Sequence, residues 1–407
     1  ALQPRQITDL SEISEIRKLI FDAIVQYRKM KNRGVVAIFK RDRFDKYSNF
    51  ARIGNGSLGG KGRGLAFIDA MIKRNPTFDN IEGVNVTVPK TVVLCTDIFD
   101  TFMESNNLYQ IALSDISDEE ILEHFLKAKL PEELKPDFLA FFDVVGKPIA
   151  VRSSSLLEDS HYQPFAGIYS TYMIPSLDDK NEMLRLLLDA IKAVYASVFY
   201  ADSKAYMAAT SNVIDQEKMA IILQEVVGTQ YNDRYYPSFA GVGRSINYYP
   251  INDEKAEDGV VDLAIGLGKY IVDGGRSLRF SPRHPNKVLQ TSTLDLALRD
   301  TQTRFYALDM NRGEKPFSID DGFNLLKLSV RDAEKDNSLR LMVSTYDPVD
   351  QMIRDGYYDG GRKVVTFANI LQHKAFPLAS ILDSMLTIGS REMGRPVEIE
   401  FAGNLVG

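Results

Sequence analysis

Lys61 stands within GNGSLGGKGRG, residues 54–64, which holds six glycines. A lysine delivered by a mobile glycine-rich loop to a helix start suits a phosphate, since N–H groups and the positive helix end add to its charge. Two established patterns come close. Gly54, Gly56 and Gly59 satisfy the dinucleotide spacing G-x-G-x-x-G, but no clean strand precedes them and more glycines follow. A P-loop fails, because Asn55 occupies its first glycine position and Gly62 replaces the Ser/Thr after the lysine. The glycines also leave open a solvated lysine on a surface loop. A second cation, Arg152, follows the apolar run Pro148 to Val151 and precedes three serines, Ser153 to Ser155. An arginine just past a buried strand projects into the cleft at its end, where its planar donors suit phosphate oxygens; an ordinary salt bridge is the alternative. Gly167, after Phe165 and Ala166, sits where a backbone turns and can approach a ligand closely. Gln224 interrupts the buried run MAIILQEVV, so its amide must be paired in the core or turned toward a cleft. Glu398 and Glu400 alternate onto one face of a strand, where paired carboxylates can hold Mg²⁺ bound to nucleotide phosphates; a solvated edge strand is the other reading.

The elements that must position these residues follow from periodicity. Asp9 and Glu12 can cap a helix carrying Ile13, Ile16, Ile20 and Ile24 at helical spacing. Leu65, Ile68 and Ile72 mark a helix that stops before Pro76. A strand is expected around Pro89, then a helix from Asp97 with Phe99, Phe102 and Met103 on its core side. Residues 111–142 read as helices with Phe138, Phe141 and Phe142 as core, and 181–207 as a further helical stretch. Ser155 and Glu158 have capping-box spacing. Phe239 to Val242 and Ser245 to Tyr249 alternate as strands. Asp262 to Gly275 reads strand, glycine turn, helix, with Gly266-Leu267-Gly268 able to offer N–H groups to an anion. Residues 283–360 carry no recognisable motif, and 376–393 form an amphipathic helix.

At 407 residues the chain should form two or three domains. A net charge of -6 argues against broad nucleic-acid or anionic-membrane binding. One cysteine, Cys95, excludes an internal disulfide framework and fits a reducing compartment; it reads as a small buried hydrophobe. No apolar run is long enough to span a membrane, no signal peptide is visible, and a cytoplasmic protein is expected.

Four elements fall in order at specific spacing: Val151-Arg152-Ser153-Ser154, Glu158-Asp159, Phe165-Ala166-Gly167 and Thr171-Tyr172. Together with Gly59-Gly60-Lys61-Gly62 and Gly394-Arg395-Pro396-Val397-Glu398-Ile399-Glu400, they resemble the family of phosphoenolpyruvate synthase and pyruvate phosphate dikinase. The resemblance runs from about Gly59 to Phe401, apart from 283–360; Glu398 stands where the family has Asp, and Lys269 replaces the acid of its G-L-G-E. It implies an α+β ATP-grasp fold: a helical extension or linker over 1–45, a first α/β lobe over 46–215 and a second over 216–407, enclosing a nucleotide cleft. It further implies that ATP is the cofactor, with Lys61 and Arg152 on its phosphates as the catalytic pair. Gly167 and Thr171 would lie in a lid loop and Gln224 at the adenine, with the backbone of 225–227 beside it. Glu400 would be the Mg²⁺ ligand. The β-phosphate would pass to a histidine on a separate domain expected downstream, and pyruvate or phosphoenolpyruvate would be met only through absent domains. The family's T-S-H-A-A motif and final L-Q-x-R strand are missing, so the chain is expected to be a piece of something longer and inactive alone. A non-catalytic nucleotide-sensing module, or a dikinase acting on a glucan or a drug, are the alternatives.

Overall fold

A computed structural model describes residues 16–17, 20, 36–44, 48–155, 168–209, 217–251, 253–311 and 317–405. Gly167, Glu158 and His161 lie outside the described residues, as does most of the expected N-terminal helix; Ile16, Arg17 and Ile20 are helical. In chain order the strands are β1 (Ala37–Ile38), β2 (Phe50–Ile53), β3 (Thr91–Leu94), β4 (Ile149–Ser155), β5 (Thr171–Ile174), β6 (Met219–Glu225), β7 (Thr229–Tyr231), β8 (Arg234–Tyr236), β9 (Phe239–Arg244), β10 (Val260–Ala264), β11 (Leu278–Phe280), β12 (Arg304–Asp309), β13 (Leu325–Ser329), β14 (Val343–Asp347), β15 (Met352–Asp355), β16 (Arg362–Val365) and β17 (Glu398–Gly403). The architecture is mixed α+β, and the chain divides into two compact units that interleave in sequence instead of meeting at one boundary near 215. One comprises Ala1–Gly146, Val151–Ala166 and Val194–Gln224; the other Lys147–Ala150, Gly167–Ala193 and Glu225–Gly407.

In the first unit the strands run in the order β1-β2-β3-β6-β4. β1 and β2 are parallel, as are β2 and β3, while β6 is antiparallel to β3. The 1–45 extension is therefore not wholly helical, since Ala37–Ile38 joins the sheet. β2 itself corrects the sequence reading that no strand precedes the glycines. It is only four residues long and carries Arg52, whose guanidinium donates to the Gly54 carbonyl, so its apolar signal is broken. β2, the glycine loop, the Gly59–Arg74 helix and β3 make one β-α-β unit. Behind it, the Thr96–Ser105 helix buries Phe99, Phe102 and Met103 completely, as expected. Phe99 and Phe102 meet Tyr195 at ring-centroid distances of 5.0 and 5.5 Å, and Phe125 meets Phe199 at 5.9 Å. Pairs of this kind add roughly 0.5–1.5 kcal/mol each beyond their buried area. The Asp118–Lys127 helix starts on a capping box in which Ser117 and Glu120 bond reciprocally. Cys95 is fully buried, and burial pushes its thiol up, in keeping with a packing role.

The second unit holds antiparallel sheets. β9 is flanked by β10 and β17 in the order β11-β10-β9-β17; others run β13-β12-β8-β7 and β15-β14-β16. Residues 283–360, silent as motifs, thus supply β12 to β15. Tyr236, Phe239, Val261, Leu263 and Phe305 form its core with Leu378 and Leu382 of the Leu378–Met393 helix. That helix ends on Gly394 at φ +66°. Ser245 to Tyr249, expected as a strand, is a loop instead: Tyr248 and Tyr249 are 75% and 78% exposed, and the Asn247 side chain accepts from the Tyr249 N–H. A local side-chain acceptor competes with the ladder there.

Candidate functional site

The glycine loop is tied down from two sides within the first unit. The Asp97 carboxylate accepts from the Asn55 and Gly56 N–H groups at 2.8 and 3.0 Å, and Thr96 Oγ1 accepts from the Ser57 N–H at 3.0 Å. On the other side, the Ser154 hydroxyl donates to the Leu58 carbonyl at 2.7 Å and accepts from the Gly62 N–H at 2.9 Å. Gly59 makes this approach possible. Its φ is +69°, and a Cβ there would sit 1.8 Å from the Ser154 carbonyl oxygen. With the Gly59 N–H on Ser57 Oγ at 3.1 Å, five N–H groups between Asn55 and Gly62 are already satisfied by protein. The preceding strand does not revive the dinucleotide reading, because the N–H groups that would cradle a pyrophosphate have other partners. What the loop offers is the Lys61 side chain, in the first turn of the helix with its Nζ 3.5 Å from Ser153 Oγ.

Arg152 lies within a strand and not past the end of one, because β4 continues to Ser155. Ser153, Ser154 and Ser155 are completely buried, and the Ser154 hydroxyl packs against the start of the glycine helix. The helical turn expected from Ser155 to Glu158 lies, beyond Ser155 itself, outside the described residues. The guanidinium of Arg152 donates to Gln224 Oε1 at 3.3 Å, and Gln224 Nε2 donates to Thr91 Oγ1 at 3.1 Å. Gln224 is 7% exposed and paired at both ends of its amide. So Lys61, Arg152 and Gln224, far apart in the chain, gather beside the middle of β4.

The remaining residues belong to the second unit. The Thr171 N–H, at the start of β5, donates to the Asp321 carboxylate at 2.8 Å. The Val226 N–H donates to the Pro148 carbonyl at 2.9 Å and the Val226 carbonyl accepts from the Tyr235 hydroxyl at 2.9 Å, so this stretch of backbone is not an unengaged edge. The Leu267 N–H donates to the Tyr306 carbonyl at 3.0 Å, and Lys269 pairs with Asp321 at 3.1 Å; the Gly266–Gly268 turn packs against β12 instead of displaying its donors. Glu398 and Glu400 are exposed on one face of β17 with Ile399 buried between them, as the alternation predicts. They are not equivalent: Arg244 holds Glu398 at 2.6 Å and Asp262 at 2.9 Å. Among the described residues no three His, Cys, Asp or Glu side chains gather as a metal centre.

The sequence reading took Asp97 as a helix start and Ser154 as part of the Val151–Ser154 motif, and read neither these nor Thr96 as a clamp on the glycine loop. Asp97 is testable. Asp97→Ala removes the acceptor for two loop N–H groups and should destabilise the first unit by about 1–3 kcal/mol, with Asp97→Asn losing less. Chemical denaturation measures this, and equal stability of the alanine variant would show that the loop does not need the clamp.

A family model described as pyruvate phosphate dikinase, AMP/ATP-binding domain, matches residues 55–406. The chain is also 27% identical over 190 residues to an uncharacterized phosphotransferase, YvkC, of Bacillus subtilis (strain 168). That alignment takes in 46% of this chain and 20% of the relative's length.

Proposed function

Because the chain belongs to the pyruvate phosphate dikinase AMP/ATP-binding domain family, we propose that it is the ATP-binding part of a phosphotransferase built on the ATP-grasp plan. The observation that carries this reading is the placement of Lys61 and Arg152 beside β4, each next to a polar partner, Ser153 or Gln224, that restrains it. Two cations at fixed positions can neutralise and orient phosphate oxygens, which is most of what phosphoryl transfer asks of a protein. Gln224 sets the orientation of Arg152 and, on this reading, borders the adenine. Thr171 and Gly167 are, on this reading, further nucleotide-binding residues. Bound Mg²⁺ would screen the phosphate charge, with Glu400 as the protein ligand.

The phosphate acceptor is a histidine on another domain, in the paired-acceptor manner of a dikinase. His124 is exposed on a helix, His284 lies 3.2 Å from Asp258 and His373 lies 2.9 Å from Asp355, so these three have structural settings of their own. Labelling from β-³²P ATP tests the reading. A chain extended to include a phosphohistidine domain should acquire acid-labile label, and the 407-residue chain alone should release no AMP above background. AMP release by the chain alone would overturn the acceptor assignment. Nucleotide binding without labelling of the extended protein would favour a sensing module. Pyruvate, a glucan or a drug all remain acceptors compatible with these residues, and a cytoplasmic setting fits the single buried cysteine.

The Glu400 assignment predicts a Mg²⁺-dependent defect. Glu400→Gln should bind ATP like the parent in chelator and about tenfold more weakly with Mg²⁺ present, the loss of one charge-assisted contact. Calorimetry under both conditions decides it; an unchanged Mg²⁺ dependence would remove Glu400 from the metal.

A further inference from the structure

Several arginines of the second unit are neutralised by acids. Arg234 meets Asp336, Arg244 meets Asp262 and Glu398, and Arg283 meets Asp258 and Asp383. Arg276, Arg304 and Lys327 are not. Among the described residues none of the three forms an ion pair, although the chain has 55 acidic residues against 49 basic ones. All three line one pocket of about 270 Å³, together with Tyr270, Tyr306 and Asp273. Arg276 donates to the Arg299 carbonyl at 2.5 Å, which leaves most of its donors uncommitted by that bond. Lys327 faces Tyr306 across the β12–β13 ladder, its Nζ 5.7 Å from the ring centroid. Tyr270 and Tyr306 meet edge to face at 5.7 Å and 89°, giving the pocket a rigid aromatic wall. Asp273, the acid in the pocket, is held by Lys269 at 3.3 Å and by the Tyr306 hydroxyl, so its charge is drawn toward them.

Three like charges around one space repel one another, and the one acid in the lining, Asp273, is shared with Lys269. Planar guanidinium donors from two directions and an ammonium from a third suit a compact polyanion. We propose that this pocket binds a small phosphate compound of at least two negative charges, pyrophosphate or a phosphate ester, through Arg276, Arg304 and Lys327. None of these residues belongs to the Lys61–Arg152 set, and the proposal does not depend on the nucleotide reading.

Titration calorimetry with pyrophosphate, at constant ionic strength and without Mg²⁺, tests the proposal. The parent should bind. The double variant Arg304→Gln/Lys327→Gln should lose about a hundredfold in affinity, tenfold for each cation, while Lys61→Met/Arg152→Met keeps this binding event. Thermal unfolding separates a site from a structural role. Without ligand the double variant should melt at or above the parent temperature, since like-charge repulsion is relieved, and only the parent should be raised by pyrophosphate. Should the double variant fold poorly, Arg276→Gln reads the same site with about a tenfold loss. Absence of pyrophosphate binding by the parent, equal binding by the Arg304/Lys327 variant, or loss only in the Lys61/Arg152 variant would overturn the assignment.

Discussion

Gly59→Ala should be among the most damaging single substitutions in the first unit, while Gly64→Ala, five residues along the same helix, should do no harm. The two glycines share a sequence context and differ in surroundings. At Gly59 the backbone has φ +69°, and an added Cβ would lie 1.8 Å from the Ser154 carbonyl oxygen and 2.4 Å from its hydroxyl oxygen. Neither is the far end of a flexible chain, since Ser154 is a completely buried strand residue. The left-handed backbone alone costs an L-residue roughly 1–2 kcal/mol, and overpacking against fixed atoms adds about 1–3 kcal/mol. A total near 2–5 kcal/mol corresponds to a fall in Tm of about 10 °C for a unit of this size. Gly64 has nothing within 4 Å of its would-be Cβ. There alanine should stabilise the helix by about 0.5–1 kcal/mol through propensity. Thermal unfolding of the pair is the measurement. If Gly59→Ala melts like the parent, the close seat of the helix on β4 is wrong, and with it the position given to Lys61.

This contrast shows where sequence reasoning runs out. Spacing and composition located the glycine stretch, the Phe99–Phe102–Met103 face, the buried run before Gln224 and the final amphipathic helix, because each leaves a periodic or apolar trace. β2 left none, since Arg52 splits its four residues and is itself used to hold the Gly54 carbonyl. The three serines after Arg152 read as lying past the strand's end, with capping-box spacing at Ser155. They are strand and core because partners from residues 58–62, about 90 positions earlier, consume the Ser154 hydroxyl. The same limit applies to the carboxylates. Alternation correctly put Glu398 and Glu400 on one face, but only the β9–β17 pairing reveals that Arg244 stands opposite Glu398 and claims it. Long-range pairing decides which polar groups are available for chemistry, and periodicity carries no information about it.

Lys61→Met and Arg152→Met should each weaken ATP far more than adenosine, and this comparison bears most directly on the proposed function. Lys61 is placed by a helix whose first turn is anchored on Ser154, and Arg152 by a strand and by Gln224. The backbone at both positions is held by the helix, the strand and the Ser154 hydroxyl. Methionine keeps the length and apolar stem of lysine and much of that of arginine, so the backbone should stay where it is. The loss should then appear as missing charge-assisted contacts to phosphate, about 1.5–3 kcal/mol each, or one to two decades in affinity. Adenosine carries no phosphate and should bind within about twofold of its parent affinity if the rest of the site is intact. Arg152→Met tests one step more, since it frees Gln224 Oε1 from its guanidinium partner. A modest weakening of adenosine confined to that variant would mean that Gln224 touches the base and had been oriented by Arg152. Equal losses of ATP and adenosine in both variants would mean that the two cations serve folding and not phosphate recognition.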